Sequence, residues 1–144
     1  MINLDRPWIF VDLVKAETAS FVLSLRNHGR LPGAITRFYR LEVLITPSDL
    51  PTLSYGEPLR LSSLPILSPK QNWELRDFAV QISAVSEAMY GDIKSNRLRY
   101  WLYGKVDYTS TTTRQEHETR FSFFYDPSAD TMIVGGLPSA NHCA

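Results

Sequence analysis

The chain is poor in the residues that announce a function. It has a single cysteine, Cys143, in 144 residues, which excludes an intramolecular disulfide and leaves the redox compartment open. It has no charge excess: 15 Lys and Arg against 15 Asp and Glu give a formal net charge of zero. No long-range field therefore draws polyanions or an anionic membrane, and nucleic acid is excluded as an expected partner. No apolar run approaches the ~20 residues of a membrane-spanning helix. The start, Met1-Ile2-Asn3-Leu4-Asp5-Arg6-Pro7, lacks the basic, apolar and small-residue regions of a secretory signal. If the natural protein is exported or anchored, the segment responsible is absent from this chain. Also absent are a Gly-x-Ser-x-Gly elbow, a phosphate loop and a His-Glu-x-x-His element, so the expectation is a protein that is not an enzyme and carries no cofactor.

What the sequence does have is alternation with a period of two. Phe21, Leu23 and Leu25 alternate with Val22, Ser24 and Arg26, and the run ends in Asn27-His28-Gly29-Arg30-Leu31-Pro32-Gly33, a corner built from turn residues. A strand over 8–14 precedes it, entered through Pro7, and a strand over 35–45 follows, chosen over a helix for its β-branched and aromatic content. Residues 46–72 hold five of the nine prolines, which forbids a long helix. They read as an extended connection crossing the molecule, with short strands over 58–61 and 64–67. Residues 73–84 read as a strand in which Trp73, Leu75, Asp77 and Ala79 share a phase. One or two helical turns fit 85–95, with Ser86 or a neighbour as cap.

The clearest signal is a hairpin. Leu98, Tyr100, Leu102, Gly104, Val106 and Tyr108 share one face, and Arg99, Trp101, Tyr103, Lys105 and Asp107 the other. The polar loop 109–115 leads to a partner strand with Thr119, Phe121, Phe123 and Tyr125 in phase. A turn over 126–130, an edge strand over 131–134 and a tail complete the chain. The expected fold is all-β, an antiparallel sandwich of immunoglobulin-like type with one short helix, in a single domain over 1–136 followed by a tail over 137–144. A small barrel is the alternative. At this length a core can bury about 70% of the surface of the unfolded chain without a staple.

The motifs resemble those of a family of uncharacterised bacterial proteins in which an N-terminal membrane helix precedes one Ig-like β domain. The resemblance lies in Arg6-Pro7-Trp8-Ile9, in Asn27-His28-Gly29 followed by Pro32-Gly33-Ala34, in Gly104 to Tyr108, and in His117-Glu118-Thr119-Arg120-Phe121. It implies membrane association through a segment missing here, with the periplasmic side preferred, and it supplies no activity. The chain departs from the pattern in the loop, where Thr111, Thr112 and Thr113 replace an expected Asp, Phe and Gly. It departs again at Ser122, where the pattern has cysteine.

Four places carry candidate chemistry. At Asn27-His28-Gly29, glycine is expected to hold positive φ at a strand corner. Glu116, His117, Glu118 and Asp107 resemble acid–base material, but neighbours on a strand point to opposite faces, so a solvated hairpin end is expected. His142-Cys143 is short of the four ligands of a structural zinc site and reads as a frayed tail. The candidate binding residues are Trp101, Tyr103, Phe124 and Arg120. They lie on the face opposite the core phase, either open to solvent or under the proline-rich connection. Tyr103 is expected opposite Phe124 or Arg120, according to register. These readings point to an interaction or sensing module with a protein partner. The contrasting reading is a small-ligand domain with an aromatic cleft.

Overall fold

The computed structural model describes residues 5–61 and 63–144, with the backbone alone at Asp77. Met1 to Leu4, part of the expected entry to the first strand, and the phase of the Asp77 side chain lie outside the described residues. The elements are β1 (Ile9–Glu17), β2 (Ser20–Asn27), β3 (Gly33–Ile45), β4 (Ile66–Leu67), β5 (Asn72–Gln81), α1 (Glu87–Lys94), β6 (Arg99–Ser110), β7 (Glu116–Asp126) and β8 (Thr131–Val134). They form two antiparallel sheets, one of order β1-β2-β5 and one of order β4-β3-β6-β7-β8. The two sheets pack together, and one of them curls into half a barrel. The protein is an all-β sandwich with one short helix.

Alternation puts Phe21, Leu23 and Leu25 of β2 against Phe38, Leu102, Val106, Phe121 and Phe123 of the larger sheet, all buried. Three bulges shift the phase where simple alternation fails. In β3 the register slips between Ile35 and Arg37, so Ile35 and Phe38 both face the core although they are three apart. Between Leu23↔Leu75 and Phe21↔Val80, β2 advances two residues and β5 five, leaving three extra residues on β5. β1 slips between Lys15 and Glu17. Ser86 caps α1 by accepting from the Met89 N–H, as its position suggests. Of the expected strand over 58–61 there is one backbone bond, Leu59 N to the Phe38 carbonyl at 2.8 Å, and of 64–67 Ile66–Leu67 pairs with β3 while the Pro65 carbonyl accepts from Ile35 N at 3.0 Å. Prolines at 58 and 65 supply no N–H, so the connection follows the β3 edge without a continuous ladder.

The two sheets are fastened at three polar points. The first is Asn27, fully buried at the end of β2. Its Oδ1 accepts from Trp8 N at 3.1 Å and Gly29 N at 2.9 Å. Its Nδ2 donates to the carbonyls of Leu31 at 2.8 Å and Leu67 at 3.0 Å. The second is Asp130, which accepts from Ala19 N at 2.9 Å and from the Tyr125 hydroxyl at 2.7 Å and pairs with Lys15 at 2.8 Å. The third is Thr119, whose hydroxyl donates to the Ile9 carbonyl beside the Tyr108 hydroxyl.

Two expectations are corrected. Gly29 does not hold positive φ; among the described glycines only Gly56 and Gly136 do. Glycine is required at 29 because a Cβ there would stand 1.9 Å from the Arg6 carbonyl oxygen and 2.8 Å from Trp8 N. The segment after β8 is not frayed either. Ala144 exchanges backbone bonds with Glu118, and His142 with Arg120, so this segment extends the sheet along β7. Asn141 donates to the Gly135 carbonyl at 2.7 Å and accepts from Ser122 N at 3.0 Å.

Asn27→Asp keeps the shape of the side chain but removes both donors, leaving the Leu31 and Leu67 carbonyls without them. The expected loss is at least ~2 kcal/mol in urea unfolding. Gly29→Ala should cost ~1–3 kcal/mol or more, because the colliding atoms are backbone and cannot rotate away. An unchanged denaturation midpoint in either variant would remove the corner from the stabilising framework.

Candidate interaction surface

The outer face of the larger sheet holds every residue that the alternation of β6 and β7 directs away from the core. The hairpin register places Trp101 opposite Phe124, Tyr103 opposite Ser122, Lys105 opposite Arg120 and Asp107 opposite Glu118. Neither expected partner of Tyr103 is correct. The turn closes over Thr111–Gln115, with Ser110 N bonded to the Gln115 carbonyl at 2.9 Å, and that closure fixes a register that side-chain pattern alone leaves open.

The face divides into three zones. In the middle, the connection lies over the sheet. The Tyr103 hydroxyl is placed to donate to the carbonyls of Thr52, at 3.4 Å, and Ser54, at 3.2 Å. The Tyr55 ring stands edge-on to both Tyr39 and Tyr103, with centroids 6.4 and 6.1 Å away. Lys105 sits 4.9 Å from the Tyr39 ring and Arg120 5.7 Å from the Tyr55 ring. Burial beneath these groups raises the Tyr55 phenol above its usual range. Of the two expected arrangements the structure adopts the covered one: Tyr103 is only 6% exposed.

At the loop end, the charges pair with each other. Lys105 Nζ lies 3.5 Å from Glu118 and 3.6 Å from Asp107, and Arg120 Nε lies 3.0 Å from Glu118. Lys105, Asp107 and Glu118, with Arg37, line a cleft of about 560 Å³. Burial pushes the Asp107 carboxyl up, against the pull of Lys105. His117 faces the other way, its ring 5.5 Å from that of Tyr108, as strand geometry requires. Burial lowers its pKa, and the nearby Arg6 guanidinium lowers it further. This zone is an ion-pair network bracing the hairpin. Arg120 belongs to it, and its Nη1 also reaches the Ser139 carbonyl at 3.5 Å.

The third zone is apolar. Trp101 is 1% exposed, and Phe124 leans on it at 5.3 Å between centroids. Gly135 packs so closely that a Cβ there would lie 2.6 Å from the Phe124 ring. Trp101 is thus a floor for the surface and not an open contact residue. Phe124 itself is half-buried, with the Arg99 guanidinium 4.5 Å from its ring centre, and it borders a hollow of about 770 Å³ with Ile133 and Lys94. Beyond it β8 ends the sheet. Ile133 is 38% exposed, Val134 61% and Leu137 55%, with Leu50 also exposed nearby. Sequence reasoning missed β8 as part of the site because four residues show too little alternation to reveal that Ile133 and Val134 stay exposed while Met132 packs on the core.

No protein-family model, curated protein or solved structure matches the chain. The surface is therefore read from its own geometry.

Trp101→Ala removes a buried indole and should destabilise by ~3–5 kcal/mol; a melting temperature equal to wild type would show that the ring is in fact open. A second outcome follows from His117. Its folded pKa lies below 6.5, so as pH falls through 6.5 the unfolded state takes up the proton first and stability is lost down to the lowered folded pKa. Chemical denaturation between pH 7.5 and 5 should show this slope, and His117→Gln should flatten it.

Proposed function

We propose that this domain is a non-enzymatic interaction module whose partner docks on the β8 edge and the apolar zone beside it. The observation that carries the reading is an edge strand with large apolar side chains bared on both faces, Ile133 and Val134, continued by Phe124 and Leu137. A terminal strand presents unpaired backbone groups, and natural sheets blunt such edges by shortness, charge, proline or bulges. β8, Thr131-Met132-Ile133-Val134, is short but carries no charge, proline or bulge. An extended segment of a protein partner satisfies both needs: its backbone adds to the ladder, and its alternate side chains cover the apolar patch.

The finer fold reading, an immunoglobulin-like domain, belongs to the same proposal. The sheet orders β1-β2-β5 and β4-β3-β6-β7 correspond to the A-B-E and C′-C-F-G arrangement of such domains, with β8 added beyond G. Domains of this architecture commonly serve recognition, although architecture alone assigns no function. Attachment to a bacterial membrane through a preceding helix rests on the resemblance of the corner and hairpin motifs. An upstream reading frame encoding an apolar run of ~20 residues would support it, and a frame without one would count against it.

The decisive measurement is differential capture. Wild-type domain, Ile133→Lys/Val134→Lys, and a control Val14→Lys on the outside of β1 are immobilised and compared by quantitative mass spectrometry. At least one protein should be retained by wild type and control and reduced at least tenfold by the β8 variant, with the three melting temperatures within a few degrees. If no protein separates the β8 variant from the control, the docking surface is wrong.

A further inference from the structure

On the opposite side of the sandwich from β8, the two sheets do not close on one another. The free edge of β5 faces the part of the connection that runs beside β3, and between them lies a cleft of about 400 Å³. Its size falls at the lower end of small-molecule sites, which span about 300–1,000 Å³. The cleft arises from the chain itself. The three extra residues of the β5 bulge carry its backbone away from β2 between Leu75 and Val80, while Pro58 and Pro65 keep the connection from pairing continuously with β3.

The lining has two characters. Leu75 is buried, and Leu61, Trp73 and Phe78 are half-buried side chains packed against the main core, so the floor is continuous with the hydrophobic interior. The rim is basic. The Arg76 guanidinium is held by Glu74 at 2.7 Å, whereas Arg60 makes no ion pair or hydrogen bond among the described residues. Of the described lining side chains, then, two are positive and one negative, and the uncompensated cation is Arg60 at the mouth.

We propose that this cleft is a binding site for a small amphiphile with one anionic head, its apolar body seated against Trp73, Phe78 and Leu61 and its head paired with Arg60. The apolar floor favours removal of a hydrocarbon or aryl body from water. Pairing one anion with Arg60 completes the charge balance that Glu74 begins for Arg76. A neutral body would leave Arg60 as it is, and a cationic head would be repelled. The site is separate from the β8 surface and independent of the protein partner proposed there.

The test uses dodecanoate below its micelle concentration, followed by titration calorimetry and tryptophan fluorescence on the full chain. Saturable 1:1 binding is expected, with no measurable binding of dodecyltrimethylammonium. Arg60→Glu should weaken dodecanoate at least tenfold while keeping the wild-type melting temperature, since Arg60 is exposed and has no partner among the described residues. Trp73→Phe should lose most of the fluorescence response but retain the calorimetric signal, which locates the ligand against that ring. Ile133→Lys/Val134→Lys should bind as wild type does. Absence of saturable binding, equal binding of the cationic detergent, or unchanged affinity in Arg60→Glu would each overturn the proposal. Loss of binding in the β8 variant would also overturn it, by placing the amphiphile at the wrong surface.

Discussion

Everything in this fold hangs on the carboxamide of Asn27. A buried amide has two acceptor sites and two donors, and unmet hydrogen-bonding groups in a low-dielectric interior cost more than the average bond returns. Asn27 meets all of its own needs and four of the backbone's, in three segments: the entry to β1, the corner after β2 and the β4 strand of the other sheet. Aspartate has the shape without the donors, glutamine has the donors with the wrong reach, and no apolar residue supplies either. The corner can come so close to Arg6 and Trp8 because Gly29 has no Cβ. The direction in which the chain leaves the small sheet, and so the placing of the larger sheet, follows from that one contact set.

Against this frame the sequence was most legible where both faces of a strand differ. β2, β6 and β7 alternate cleanly and were readable as strands, and the Ser86 cap marked α1. Bulges were not legible, because a slip at Thr36 or over residues 76–79 leaves no trace in composition; it appears only once the partner strand is known. The same holds for hairpin register, which rests on Ser110 closing against Gln115, and for the docking of residues 142–144, where the pairing is made by backbone groups. Of the candidate site, the aromatic row was visible, but its cover was not. Tyr103 meets carbonyls of Thr52 and Ser54, 51 and 49 residues away, and no local pattern encodes that contact.

The outer face thereby changes meaning along its length. A row of aromatics that looks uniform in sequence becomes a floor at Trp101, a covered joint at Tyr103 and an open edge at Phe124 and β8. The domain places its cohesion in the middle of the sheet and leaves the β8 zone and the cleft beside β5 at opposite margins. One is a strand edge, with backbone groups to offer an extended chain. The other is a gap between sheets, with side chains alone to offer, which suits a compact solute better than a strand.

The pairing of β3 with β6 over residues 33–45 and 99–110 bears on how the molecule reaches its native state. These two long strands meet only after the whole proline-rich connection, β5 and α1 have been looped out between them, and β2 meets β5 across a comparably long excursion. Loop-closure entropy must be met before those contacts return anything. The β1–β2, β6–β7 and β7–β8 hairpins, with their short turns, assemble locally. A chain wired in this way folds slowly for its size, and during that interval β8, which has only β7 to pair with, waits on the hairpin as an unsheltered apolar strand. Its hazard is therefore greatest during synthesis rather than in the finished fold.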